Sequence, residues 1–408
     1  MKTAMPISSP KPLKLGYLVP QFPGQTHIFF WREVAALAAM GVEVTLFSTR
    51  RPPKGLIAHD WSHEAMARTI YLGAAGPLDA ARGLAALAPL SRRGAHRGIG
   101  RDLALSAPAA ARLRREAAAR GITHVHIHSC GRAALIGALS RRMGGPSYSL
   151  TLHGPLSDYG PGQRLKWQGA AFGTVITHKL RAELRAELGA AVPARLPVRP
   201  MGVDTDVLRR DAPYVPHQPG TPLRLFSCAR LNVVKGHQDL LAAVRLLLNQ
   251  GLEVQLDIAG EDDDGGGGFH GELQARLEAL GLQEHVRLLG AIDAGAVRAH
   301  LLRAHVFVLA SWHEPLGVAY MEAMSCEVPS IGTDAGGVSE LIRDGVDGLL
   351  VAPREPEALA AAIRRISDDP ALALRLSRAG RARVVEGFRA SLGAETLVEE
   401  IVRLGEQS

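Results

Sequence analysis

Short β-branched runs alternate with helical patterns in two series, one on each side of a proline-containing joint, and this alternation constrains the chain more than any other feature. In the first series residues 15–19 (Leu-Gly-Tyr-Leu-Val) read as a strand and 20–26 as a loop. Residues 28–40 read as an amphipathic helix stopped by Gly41, and 42–47 as the next strand. That is a βαβ unit, the building block of a doubly wound parallel sheet. Residues 74–120 are Ala- and Arg-rich helical material, and 124–128, 147–152 and 174–177 are further short strands. Residues 196–204 carry Pro197, Pro200 and Gly202 and read as a linker. A second series follows, with strands expected at 223–228, 254–259, 286–289, 306–310 and 330–331. One helix is expected at 237–249, and three more close the chain at 356–367, 370–386 and 390–404. A chain of 408 residues exceeds what one hydrophobic core organises. The fold class is therefore α/β, with two doubly wound, Rossmann-like domains.

The chain is 47% hydrophobic, enough to fill two cores, which excludes disordered and fibrous classes. The first ten residues hold no apolar signal-peptide core, and no apolar run reaches the length of a membrane span. Cys130, Cys228 and Cys326 lie far apart without metal-ligand spacing, as expected of buried thiols in a reducing compartment. The net charge is +7. Arginines are densest between Arg82 and Arg120 and have no interleaved aromatics, which argues against nucleic acid. A basic face for anionic lipid and a merely solvated arginine-rich surface both fit this pattern, and composition leaves the two open.

The most informative local stretch is Ser311-Trp-His-Glu314-Pro-Leu-Gly317-Val-Ala-Tyr-Met-Glu322. It follows a buried strand pattern and opens a helix expected over 317–325. Glu314 thus sits on a loop at the carboxyl edge of the sheet, where open α/β sheets bind ligands, and Glu322 lies on the helix behind it. The helix start at Leu316–Gly317 offers backbone N–H groups to an anion. A spacing of two glutamates alone recurs by chance in helical proteins; Pro315 and Gly317 between them and the strand before them make the pattern specific. In the same half Ala229-Arg230-Leu-Asn-Val-Val-Lys235-Gly follows another strand, so Arg230 and Lys235 leave the same edge. Two fixed cations at a cleft suit a diphosphate and offset charge growing on its oxygen. Without the glutamate motif, two surface cations explain them equally well. His124, His126 and His128 alternate along one strand face. No local carboxylate or cysteine accompanies them, so packing or cleft lining is preferred to metal binding.

Ser311, Glu314, Pro315, Leu316, Gly317 and Glu322 resemble the signature of the family 4 glycosyltransferases, retaining enzymes of the GT-B fold. The likeness includes bacterial enzymes that build exopolysaccharides and cell-surface polysaccharides. It spans nearly the whole chain and is strongest over 228–351. It implies two domains facing across a cleft: residues 1–198 for the acceptor, 199–385 for a nucleotide-sugar donor, and a final segment, 386–408, crossing back to the first domain. By the same resemblance Glu314 lies at the donor sugar, Glu322 bonds the nucleotide ribose, and Arg230 and Lys235 hold the diphosphate. Gly260 and Ile292 lie near the nucleotide and base. His153, at a strand end in Thr151-Leu-His-Gly154, faces the donor sugar from the first domain. Leu316, Gly317 and Gly24 are expected to bring backbone to the donor.

The first loop resembles the family's exopolysaccharide members at Phe22, Pro23, Ile28 and Glu33 but departs from them over Gly24-Gln-Thr-His27. Asp158, Gln163, Lys166 and Trp167 are candidates for the acceptor side. In Glu261-Asp-Asp-Asp264 carboxylates replace a usual glycine; they are expected to turn away from the diphosphate as a mobile surface loop and to bind no metal. Asp334-Ala-Gly336-Gly337 reads slightly better as a tight turn than as a donor contact.

The activity implied is transfer of a sugar from a UDP- or GDP-linked donor to a hydroxyl of a glycan or lipid-linked acceptor. It is expected to need no metal or other cofactor, and to take place in the cytoplasm or at the inner membrane face. A nucleotide-sugar epimerase on the same fold and a non-catalytic sugar-nucleotide-binding protein are the alternatives.

Overall fold

The computed structural model describes residues 12–24, 27–52, 61–87, 98–262 and 268–406. The first sheet comprises β1 (Lys14–Gln21), β2 (Glu43–Arg50), β3 (Thr69–Tyr71), β4 (His124–Ile127), β5 (Ser147–Leu152) and β6 (Gly173–Val175), in the order β3-β2-β1-β4-β5-β6. The second comprises β7 (Leu223–Cys228), β8 (Val254–Ala259), β9 (Val286–Leu288), β10 (Val306–Val308), β11 (Ser330–Thr333) and β12 (Leu349–Val351), in the order β12-β11-β10-β7-β8-β9. The described pairings between neighbouring strands are parallel. Each sheet reverses its winding beside its first strand, between β1 and β4 and between β7 and β10. Those switch points open crevices at the carboxyl ends of the strands. The expected α/β class with two doubly wound units is what the molecule has.

Helix His237–Asn249 ends where the sequence pattern places it, and helix Ile28–Ala39 is followed by Gly41. The described residues of the 74–120 region include the helices Pro77–Ala85 and Gly100–Arg120. The sequence pattern missed two strands, β3 and β12. Each has three residues at a sheet edge, as do β6 and β9, which the pattern did place.

The expected linker is tied down. Val198 bridges to Val175, and Val203 accepts from Ala390 N (2.9 Å) while donating to Phe388 O (2.9 Å). This second contact brings the last helix, Ala390–Glu406, back to the first sheet. Its Ala394, Leu397 and Ile401 are buried in one cluster with Phe30, Val34 and Leu37 of helix Ile28–Ala39. Arg195 Nε donates to Glu400 Oε2 (2.9 Å) at the edge of that contact. A separate polar link joins the halves: the Glu340 carboxylate accepts from His178 N (2.6 Å) and Lys179 N (2.9 Å). These are orphan donors in the first turn of helix His178–Leu188, where a negative charge is favoured.

The histidine row on β4 is a hydrogen-bonded ladder. His124 spans Ser147 (2.7 Å) and Ser149 (2.8 Å), and His126 spans Ser149 (2.7 Å) and Thr151 (2.8 Å). These ring nitrogens are therefore occupied by hydroxyls, and among the described residues no His, Cys, Asp and Glu cluster suits a metal ion. Burial pushes His124 and His128 down to about 3, so both are neutral when folded. Their unfolded value is about 6.5, so the unfolded chain takes up protons first as pH falls. The stability that neutral burial provides is complete above about 6.5 and is lost as pH drops toward 3. Unfolding by urea at about pH 7.5 and about pH 5.5 should show a fall of about 1.4 kcal/mol per such histidine. A His124→Gln variant should lose about 1.4 kcal/mol less between the two conditions; an unchanged difference would refute the assignment.

Candidate active site

A cavity of about 500 Å³ opens between the carboxyl edges of the two sheets. Arg230, Lys235, Glu314 and Glu322 all line it, together with Gly260, Ile292 and Gly317. Lys235 ends a short 3-10 turn, Val233–Lys235, just after β7. Its Nζ donates to Glu314 Oε2 at 2.6 Å, with the two side chains 13% and 11% exposed. The pair is thus largely out of water, where a charge-assisted bond is strong and an unpartnered charge costly. Ser311 Oγ donates to the same carboxylate oxygen (3.3 Å).

Loop contacts explain why Lys235 and Glu314 meet. Trp312 N donates to Val234 O (2.8 Å), and Trp312 Nε1 donates to Asp239 Oδ2 (2.5 Å). These bonds lace the loop after β10 to the 3-10 turn after β7 and to the first turn of helix His237–Asn249. From the other side, Gly337 N donates to Glu314 O (3.0 Å). Gly336 has φ +73°, and a Cβ there would overlap the Glu314 carbonyl oxygen. The two glycines thus form the turn the sequence favoured, and that turn is the backrest of the Glu314 loop. Sequence reasoning passed over Trp312, Asp239 and the Arg354 guanidinium stacked 4.2 Å over the Trp312 ring. No spacing rule links those positions.

The wall from the first half is Ile28, Phe29 and Arg32, on the first turns of helix Ile28–Ala39. Arg32 NH1 donates to Glu322 Oε1 at 2.9 Å, across 290 residues of sequence, with side chains 12% and 14% exposed. Arg32 was not among the expected site residues. The signal available was helical periodicity, since positions 28 and 32 share a face. Burial lowers His27 to about 4, and the Arg230 charge pushes in the same direction, so Arg230 acts electrostatically on the first-half loop.

Several expected positions differ. His153 does not form the cavity wall: it packs against Phe29 (6.1 Å between ring centroids) and Phe30 (5.7 Å), and Phe29 is the lining residue. Its Nε2 lies 3.2 Å from His128 Nδ1, and His128 Nε2 lies 2.9 Å from Glu33 Oε2, so it is the half-buried end of a polar row whose other two members are buried. Gly24 is buried against the His27 ring, and Ile28 and Phe29 form the wall on that side; Gln25 and Thr26 lie outside the described residues. Leu316 points into the apolar core, leaving Gly317 and Val318 at the cavity.

Gln163, Lys166 and Trp167 are buried rather than lining an acceptor site. Gln163 Nε2 donates to the carbonyls of Tyr159 and Gly160, and Lys166 Nζ to that of Tyr159 (2.9 Å), which braces the preceding turn. Glu261 does not turn away: it lines the cavity, and its Oε1 accepts from Ala291 N (3.3 Å). Asp262 Oδ1 accepts from His270 N (2.8 Å) at the start of helix Phe269–Ala279; Asp263 and Asp264 lie outside the described residues.

Comparison with known proteins matches residues 28–207 to the family model described as Glycosyltransferase Family 4, and 212–383 to that described as Glycosyl transferases group 1. A glycogen synthase of Mycobacterium tuberculosis is 34% identical over 177 residues, 43% of this chain and 42% of that protein. The amylovoran biosynthesis glycosyltransferase AmsK of Erwinia amylovora is 31% identical over 193 residues, 45% of each chain. The chain thus spans less than half the length of these curated relatives. Among solved structures, a glycosyltransferase from Rickettsia africae superposes with a TM-score of 0.75 at 16% identity, covering 98% of this chain and all (100%) of that one. HepE of Anabaena, solved with UDP-glucose, gives 0.74 at 17% identity, covering 96% of this chain and 100% of its own. The likeness to these structures lies in the fold. With two family models spanning both halves and both sheets wound alike around one cleft, the chain belongs to the family 4 glycosyltransferases and has the GT-B fold.

Proposed function

We propose that this protein is a retaining glycosyltransferase. It moves a sugar from a UDP- or GDP-linked donor to a hydroxyl of a glycan or lipid-linked acceptor, in polysaccharide biosynthesis. The observation that carries the reading is the convergence of Arg230, Lys235, Glu314 and Glu322 on one cavity. Relatives named for amylovoran and colanic acid biosynthesis, and a fold neighbour holding UDP-glucose, support the direction of the assignment.

In the reaction the bond from the anomeric carbon to the diphosphate oxygen breaks, and a bond to the acceptor oxygen forms on the same face. The acceptor proton passes to the departing phosphate oxygen, so no separate base is needed. Positive charge grows on the sugar ring and negative charge on the diphosphate. Arg230, Lys235 and the start of helix Val318–Ser325 stabilise the diphosphate, which is why the transfer is assigned no metal or other cofactor. Glu314, held by Lys235 and Ser311, positions the donor sugar, and Glu322 takes the ribose. Leu316 and Gly317 contribute through the backbone of the helix start. Gly260 and Ile292 border the nucleotide. His153 acts on the sugar by way of the Phe29 wall it supports, and Gly24 through the turn leading to that wall. The second half (199–385) holds the donor, the first (1–198) the acceptor, and 386–408 completes the first. The site of action is cytoplasmic, with contact to anionic lipid at the inner face when the acceptor is lipid-linked; the +7 charge supports that contact.

A thermal-shift panel of UDP, GDP, ADP and dTDP with their glucose conjugates, run in chelator, tests this. One nucleotide series is expected to stabilise the protein by about 2.7 kcal/mol at a hundredfold excess over its dissociation constant. No shift with any series would sink the proposal.

A further inference from the structure

We infer that Arg32, on the first half, is a positioning residue for Glu322 on the second, so that the carboxylate reading the nucleotide ribose is oriented from across the cleft. This rests on the reading of Glu322 given above.

The geometry points there directly. Glu322 lies in helix Val318–Ser325 with its side chain in the cavity. A glutamate has three rotatable side-chain torsions, and fixing them costs entropy that a ligand must otherwise offset. The Arg32 bond at 2.9 Å supplies that fixing in advance. It is charge-assisted, its two side chains are 12% and 14% exposed, and Ile28 and Phe29 beside it are apolar. Partial exclusion of water strengthens such a bond. It engages Oε1 only. A carboxylate has about four acceptor sites, so Oε2 and the second lone pair of Oε1 remain for a vicinal diol. The bond thus orients the carboxylate without consuming it.

Its span gives the bond a second consequence. Arg32 sits on helix Ile28–Ala39 of the first half, so the bond exists only when the halves stand at this separation. The polar link from Glu340 to His178 and Lys179 lies away from the cavity and touches no proposed ligand group. Ribose recognition is therefore coupled to the approach of the halves through Arg32 alone of these two links.

The test uses the full chain and calorimetric titration with UDP, GDP and their 2′,3′-dideoxy counterparts. Arg32→Ala is expected to weaken binding of the preferred ribonucleotide about 5- to 20-fold while leaving its dideoxy counterpart within about twofold. Arg32→Lys should recover part of the loss, because the charge returns without the planar fork. Equal weakening of ribo and dideoxy forms would overturn the proposal, since it would assign Arg32 to the diphosphate or to general structure. Tighter binding by Arg32→Ala would also overturn it, making Arg32 a competitor of the ribose. Glu322→Gln separates the two levels. If it leaves the ribo-to-dideoxy ratio of the unmodified protein unchanged, Glu322 does not read the ribose and the underlying assignment fails. If it collapses the ratio while Arg32→Ala does not, only the role of Arg32 fails. Unfolding midpoints of each variant exclude loss of fold.

Discussion

Lys235→Ala is expected to lower the rate of sugar transfer about 100- to 1,000-fold, the usual cost of deleting one fixed group that stabilises a developing oxyanion. Two effects add. The diphosphate loses one of two cations at the moment its charge increases. Glu314, 11% exposed, also loses the ammonium that holds its Oε2 at 2.6 Å. A carboxylate left without that partner is released to its other rotamers and no longer faces the donor sugar in one fixed orientation. The loss should therefore appear in kcat as well as in kcat/KM, because it is felt most in the transition state. Lys235→Arg should retain donor binding but transfer sugar poorly, since a planar fork cannot occupy the point-charge position beside Glu314. Steady-state kinetics with the donor selected by thermal shift measure this. A Lys235→Ala enzyme with unaltered kcat would remove the pair from the mechanism.

The second large effect is expected from a residue with no functional group. Gly336→Ala should abolish most transfer activity and lower stability by more than about 2 kcal/mol. Left-handed backbone costs an L-residue about 1–2 kcal/mol, and Gly336 has φ +73°. The added methyl would also overlap the Glu314 carbonyl oxygen, so the loop carrying Glu314 must shift. Gly345→Ala provides the control. It has φ +70° with nothing within 4 Å of its would-be Cβ. It should lose about 1–2 kcal/mol of stability and keep its activity. Thermal unfolding and kcat, measured on both variants, separate backbone strain from displacement of Glu314. Equal activity in the two would show that the Gly336 turn does not position the loop.

Sequence reasoning reached the fold wherever an element was long enough to repeat its pattern. Helix His237–Asn249 declares both ends through the glycine before it and its leucine-rich face. Strands β3 and β12 were not placed, although the equally short edge strands β6 and β9 were; three residues repeat no pattern, and pairing with a neighbour defines such strands. The site divides in the same way. Arg230, Lys235, Glu314 and Glu322 follow strands of one sheet, and the rule that loops after parallel strands share an edge brings them together. Arg32 meets Glu322 through the placement of one half against the other, which no local pattern encodes. His153 was legible as a strand-end residue but not as a neighbour of Phe29, since ring packing, not register, decides what fronts the cleft. The basic composition located no particular surface.

The return of helix Ala390–Glu406 to the first sheet has a consequence for biogenesis. Phe30, Val34 and Leu37 are sealed by Ala394, Leu397 and Ile401, which leave the ribosome only after the entire second sheet has been translated. The earlier-made half therefore waits with an oily flank uncovered while its sibling is synthesised, and its maturation is completed by a helix translated after the second sheet rather than by its own amino acids.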